Sequence, residues 1–245
     1  MKIRNFTIMA ILATLVSFDI ASANEPLVKE KSIPGTFSAN IGLFSEYFFR
    51  GTSQTDDNAA LQGGFDYEIG LNKNFTAYAG VWGSNVNFTD ANIELDYYGG
   101  LKGALGKLDW SAGAIYYSYP GAQGSLNYDF VEGAFSLGYD FGVASATAGF
   151  NYSGDYFGAS GDAQYYSLGV DVPLGKYFTL SSHVGQQNVD NNTAFGFPDY
   201  LDYSVGISAN VVGFDIGATW TDTDMSDSDC DDPCGMVVFS LSRSF

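Results

Sequence analysis

The 245-residue sequence has one histidine, two cysteines, six prolines and only ten lysines and arginines. Each scarcity removes a class of function. One His and two Cys cannot furnish the ligands of a usual zinc centre, and they leave nucleophilic catalysis few candidates. Ten basic residues against 28 acidic ones give no patch that could neutralise a phosphate backbone, which argues against nucleic-acid binding. Charged residues make up 16% of the chain, below the quarter usual in soluble domains. What is present points to order: 20 Phe, 17 Tyr, 30 Gly and a hydrophobic share of 46% are incompatible with a disordered acidic tail. The length fits one large domain, and single β-barrels reach this size.

Residues 1–23 read as a cleaved secretory signal peptide. Lys2 and Arg4 precede an apolar stretch from Phe6 to Phe18, and Ala21-Ser22-Ala23 supplies the small-residue cleavage site before Asn24. The apolar core is shorter than the roughly 20 residues needed to span a bilayer, and Asp19 interrupts its end. Cleavage removes two basic residues and one acidic one, taking the formal charge from -18 to -19. The expected organisation is a signal peptide over 1–23, a periplasmic N-terminal segment over 24–35 and a barrel over 36–245. In an oxidising compartment Cys230 and Cys234, four apart, are expected to form a local disulfide rather than a metal site, because no His or third Cys lies nearby.

From about Thr36 onward the pattern has period two. Ala59, Leu61, Gly63, Phe65, Tyr67, Ile69 and Leu71 make one face of a segment whose other face is Ala60, Gln62, Gly64, Asp66, Glu68 and Gly70. Leu201 to Val211 repeats the design, so each strand has one apolar face and one wet or small face. Twelve such segments are expected, near 37–50, 59–71, 75–88, 92–103, 108–119, 128–141, 143–153, 164–173, 177–188, 200–212, 214–222 and 235–245. Their connections alternate between tight turns and longer polar loops, with only Thr89 to Ala91 breaking the alternation. An even strand count, strands of 9 to 11 residues or more and one-sided loop lengths define an outer-membrane barrel. The predicted fold is therefore an all-β, antiparallel, up-and-down transmembrane barrel of about 12 strands with short periplasmic turns. Soluble β architectures share the period but give no reason for one-sided loops.

The last segment adds a separate argument. Val237, Phe239, Leu241 and Phe245 share one face and end on an aromatic, which resembles the strand by which outer-membrane proteins are recognised by the barrel assembly machinery. Arg243 stands where that pattern has an apolar residue, and near a strand end it can snorkel to headgroups. Several stretches, Ser45-Glu46-Tyr47-Phe48-Phe49-Arg50-Gly51-Thr52-Ser53-Gln54-Thr55, Gln62 to Tyr67, Tyr78 to Val86, Glu94 to Gly100 and Tyr117 to Gly121, together resemble the TorF-type porin family of proteobacteria. The resemblance spans the mature chain and implies an outer-membrane barrel of porin type, with no substrate attached.

If the apolar face meets lipid, the lumen carries Glu46, Arg50, Asp66, Glu68, Glu94, Asp96, Lys102, Glu132, Asp140, Asp171, Asp202 and Asp215. Acids outnumber bases ten to two, a bias that would concentrate cations in a water-filled channel. The opposing reading is that Arg50, Lys102 and some acids merely neutralise one another across a narrow lumen. Arg50, at the loop end of strand one, is either a cation that orients an anionic solute or the partner of Glu46. Tyr47, Phe49 and Trp220 are expected at the headgroup girdle, while the parity of Trp82 and Trp110 is ambiguous. Asp222, Asp224, Asp227, Asp229, Asp231 and Asp232 form an acidic loop that lacks the Gly and Glu of an EF-hand, so a solvated loop is favoured over a calcium site. No cofactor is expected.

Three functions remain. The first is a channel for passive diffusion of small hydrophilic solutes, surrounded by outer-membrane lipid and lipopolysaccharide. The second is a closed barrel whose external loops bind a partner. The third is an outer-membrane hydrolase, which would need His183 and Ser181 as a catalytic pair although both point into the lumen.

Overall fold

A computed structural model describes residues 33–88, 90–226, 228–230 and 234–245. The signal peptide, most of the 24–35 segment, and Asp227, Asp231 and Asp232 lie outside the described residues. Twelve strands form one closed antiparallel barrel: β1 (Thr36–Phe44), β4 (Ala60–Gly70), β5 (Phe75–Asn85), β6 (Ile93–Leu105), β7 (Leu108–Ser118), β8 (Phe130–Asp140), β9 (Ser145–Ser153), β10 (Ala163–Leu174), β11 (Phe178–Val189), β12 (Tyr200–Val211), β13 (Phe214–Thr223) and β14 (Met236–Ser244). A two-residue hairpin, β2 (Phe48–Phe49) with β3 (Thr52–Ser53), belongs to the first loop and pairs only with itself. Each strand bonds to its sequence neighbour, and β1 closes the ring on β14, with Ala39 and Phe245 exchanging both backbone bonds at 3.1 and 2.8 Å.

Connections on one rim span 71–74, 106–107, 141–144, 175–177 and 212–213, two to four residues each. Those on the other rim span 45–59, 86–92, 119–129, 154–162, 190–199 and 224–235, seven to fifteen residues each. The alternation has no exception, because the strands beside Thr89 stop at Asn85 and restart at Ile93.

The period-two pattern becomes a sorted wall. Phe65 is 69% exposed and Phe239 63% exposed on the outside, whereas Asp66 and Glu132, on the inward parity, are 8% and 1% exposed. Trp82 faces inward and Trp110 outward, where it packs edge-on against Phe75 at 5.7 Å. Trp220 lies on the outer wall against Tyr203 at 5.6 Å.

Strand one is shorter than its alternation suggests. Pairing stops at Phe44, and only the two bonds between Ser45 and the Phe239 backbone, both 2.9 Å, extend it. Beyond that point the backbone turns into the barrel. Tyr47 N–H donates to Thr55 Oγ1 at 3.0 Å instead of to a neighbouring strand, and Arg50 and Gly51 adopt left-handed φ values of 50° and 78°. Period two continues through Phe48 and Arg50 only because the segment doubles back on itself as the β2–β3 hairpin.

Candidate functional site

The first loop, residues 45–59, enters the loop-side lumen as a plug: Glu46, Gly51, Gln54 and Thr55 are buried, while Asp56 to Ala59 stay exposed. Arg50 reaches across the lumen and is the keystone of the packing. Its guanidinium donates to Glu132 at 2.6 Å and to Gln187 Oε1 at 2.8 Å, and lies 4.1 Å from the Tyr165 ring centroid. Glu132 also accepts from Asn151 at 3.1 Å and Tyr117 at 3.2 Å, so a single carboxylate collects donors from three elements. Burial works against the Arg50 charge, and Glu132 more than compensates, holding it well above its ordinary value.

The remainder of the loop is fixed by its own side chains. Glu46 accepts from Ser53, and from Thr55 at 3.0 Å, while the Tyr47 hydroxyl donates to Glu94 at 2.9 Å and its ring meets Trp82 edge-on at 5.5 Å. Gly51 abuts the far wall: a Cβ there would lie 2.5 Å from Thr223 Cγ2 and 2.8 Å from Asp202 Cβ. Only glycine satisfies both that approach and the positive φ.

Beside the plug the long loops and the strand ends that carry them meet in aromatic rings. Tyr117 stacks on Phe130 at 4.4 Å, Phe130 meets Tyr156 at 4.6 Å, and Tyr128 stacks on Phe157 at 4.5 Å. Phe49 joins this cluster through Tyr117 at 5.7 Å. Tyr47 and Phe49 are therefore inward packing residues and not part of a headgroup girdle.

A profile for bacterial proteins of unknown function, Gcw_chp, matches residues 28–245. The chain belongs to the Gcw_chp family. No curated protein sequence matches it. Among solved structures, this Gcw_chp barrel resembles the NanC porin (TM-score 0.54, 8% identity, covering 86% of this chain and 99% of that one). It also resembles an outer-membrane channel from Pseudomonas putida F1 (0.53, 10%, 91% and 100%) and the KdgM porin (0.53, 6%, 85% and 98%). At these identities the likeness is one of fold.

The Gcw_chp lumen divides the sequence-predicted residues into two sets. Glu46 and Arg50 stand on the plug, not on the wall, and they do not pair with each other: the plug's turn sends Arg50 to Glu132 and leaves Glu46 to Ser53 and Thr55. Glu94, Asp96, Glu132 and Asp202 line the wall around the plug and are almost fully buried. Nearer the turn rim, Lys102 bonds Glu68 at 2.5 Å, Asp66 accepts from Tyr98 at 2.5 Å, Asp171 from Ser181 at 2.5 Å and Asp215 from Asn210 at 2.9 Å. Asp140 accepts from the Gly142 N–H at 2.6 Å and so caps a turn.

Carboxyl groups outnumber basic groups in the plugged region. Glu46, Glu94, Asp96 and Glu132 are each at most 2% exposed, and among the described residues Arg50 is the one cation bonded to any of them. Glu46 Oε2 and Asp96 Oδ1 have no hydrogen-bond partner among the described residues. A buried polar atom without a partner is costly, so packing here leaves part of that cost uncompensated.

Ser181 bonds Asp171, while His183 Nε2 lies 2.9 Å from the Tyr165 hydroxyl and 3.1 Å from Asp202. The serine and the histidine are engaged separately. Cys230 and Cys234 are joined in a disulfide with Cα atoms 5.4 Å apart, and beside it a hollow of about 50 Å³ is lined by Phe48, Gly51 and Thr52 of the plug. Among the described residues no three His, Cys, Asp or Glu side chains are grouped to hold a metal ion.

Sequence reasoning missed Gln187, Tyr165 and Asn151. They lie on the polar parity of their strands, but period alone does not separate a wall residue that meets a plug from one that meets water. The paired aromatics Tyr116-Tyr117 and Phe130 near the loop rim carried the available signal, since rings on both faces of a strand end imply packing inside as well as outside.

Proposed function

We propose that this protein is an outer-membrane, porin-like channel for small hydrophilic solutes, cation-preferring, and closed at its loop side by residues 45–59. One observation carries the reading: an acid-rich polar inner wall stands behind an outer wall of large apolar side chains. The porin-like fold and the TorF-type resemblance support the same conclusion, and export through the 1–23 signal peptide, assembly by the barrel machinery and a surround of lipid and lipopolysaccharide belong to it. The wall acids Asp66, Asp140, Asp171 and Asp215 supply the cation preference, while Glu68 and Lys102 neutralise each other. We read the barrel as non-enzymatic, since a Ser181–His183 pair would require both side chains to leave their partners.

Passage requires the plug to move. Planar-bilayer recording tests this: wild-type protein is expected to show infrequent steps, Arg50→Ala frequent ones, and a salt gradient a cation-selective reversal potential. Heat-modifiable, inserted Arg50→Ala barrels that carry no current would sink the channel. That outcome would favour the second reading, a closed barrel whose loops bind a partner, which the plugged loop-side lumen and the aromatic cluster beside it also suit.

A further inference from the structure

The outer wall of β11 to β14 carries a hollow that the channel reading does not use. Its shape follows from strand register. On the outward face Phe178 pairs with Ala209 and Ala209 with Ile216; one row nearer the loops, Ile207 pairs with Ala218 and Ala218 with Phe239. The two alanines lie on a diagonal, so the wall dips between larger neighbours. The result is an apolar groove of about 310 Å³ rimmed by Phe178, Ile207, Val211, Ile216 and Phe239.

Arg243 stands on the same outward face, one row nearer the turn rim than Leu241, which pairs with Ile216. It is exposed, and its guanidinium lies 5.1 Å from the centroids of both Phe214 and Phe245. These rings hold it by cation–π contact and restrict its sweep. It makes no ion pair among the described residues. The outward positions beside it on β13 and β1 are Phe214, Ile216, Ala39 and Ile41, none of which is an acid. Among the described residues this cation on an apolar wall has no counter-charge, which leaves its guanidinium open to an anionic group at the membrane surface. The four steps from Arg243 to Phe239 cover about 13 Å of strand, or about 10 Å of depth at a tilt of about 40°, within the half-thickness of a hydrocarbon core of about 30 Å.

We propose that this face binds one anionic glycerophospholipid, its phosphate on Arg243 at the turn-side membrane surface and an acyl chain seated over Ala209 and Ala218. The site rests on the transmembrane reading. Its recognition has two parts: charge-assisted bonds from a guanidinium to phosphate oxygens, and a hollow that admits a flexible chain but no planar headgroup.

The full-length protein, inserted in phosphatidylcholine nanodiscs doped with phosphatidylglycerol and released into a native mass spectrometer, tests the proposal. One phosphatidylglycerol retained per barrel is expected. Arg243→Gln should lower that retention about tenfold, as the loss of one charge-assisted contact implies. Ala218→Phe, which fills the hollow and leaves Arg243 in place, should lower it as well, and Leu101→Ala on β6, far round the ring, should not. Equal retention by the wild type and Arg243→Gln overturns the site. So does retention of phosphatidylcholine as strong as that of phosphatidylglycerol, or a dimer in place of the lipid adduct. A barrel that never enters the nanodisc fails the transmembrane reading itself; one that enters and holds no lipid fails only this inference. The heat-modifiable band on a gel confirms that each variant has folded.

Discussion

Arg50 decides more than any other single residue. Replacing it with alanine leaves Glu132 buried without its cation, a change that costs about 3–5 kcal/mol in comparable settings. We expect Arg50→Ala to unseat the plug while the barrel survives, read as frequent channel openings with retained heat-modifiability. Adding Glu132→Gln removes the stranded charge and should recover part of the lost closure. The opposite sign is expected at Asp96, whose Oδ1 has no partner among the described residues and which shares the inward face of β6 with Glu94. Asp96→Asn removes an ionisable group beside Glu94 and should make openings rarer than in the wild type at alkaline pH, where both acids carry charge, measured by the same recording. The importance of Arg50 was legible from its place beside Gly51 at a strand end. Its partner was not, because Glu46 is four residues away in sequence whereas Glu132 is 82 away and reaches Arg50 only once the ring has closed.

The strands were the most legible elements, since each carries its own period and its own turn. The failure at β1 has a definite cause. Alternation reports that a segment is extended, not that another strand lies beside it, and the 45–59 segment is extended while paired with itself. Turns offer a further test. Val212 and Gly213 join β12 to β13 with φ values of 54° and 81°, and Val212 is 90% exposed. A β-branched residue is poorly suited to that conformation, whereas Asn-Gly is favoured in such two-residue hairpins. Val212→Asn should therefore stabilise the barrel by about 1 kcal/mol, seen as a higher temperature for loss of the compact gel band. The disulfide is the converse case: it closes a short loop outside the ladder, and substituting both Cys230 and Cys234 by serine should leave that temperature almost unchanged.

At the scale of the whole molecule, the acids are sorted by place: almost fully buried ones surround the plug, Asp66 and more exposed ones line the turn-side lumen, and the outer wall carries Arg243. If the proposed wall acids set selectivity, it should fall as salt rises, because the screening length shrinks from about 10 Å at 0.1 M to about 3 Å at 1 M. The cation-selective reversal potential should accordingly shrink between those two concentrations for a fixed gradient ratio. Selectivity that does not depend on salt would place its origin in the plug and not in the wall.

The ring also has a joint. β1 and β14 share five residue pairs, against seven to twelve between the other neighbours in the barrel. The plug departs from the loop-side end of that same joint, at Ser45, which is tied to Phe239 by two bonds. Any pull on residues 45–59 is therefore delivered as a peeling force at the shortest splice in the hoop and is not spread around its circumference. The backbone amides of β1 and β14 should exchange with solvent deuterium sooner than those of β10 and β11, and sooner again once Arg50 lets go.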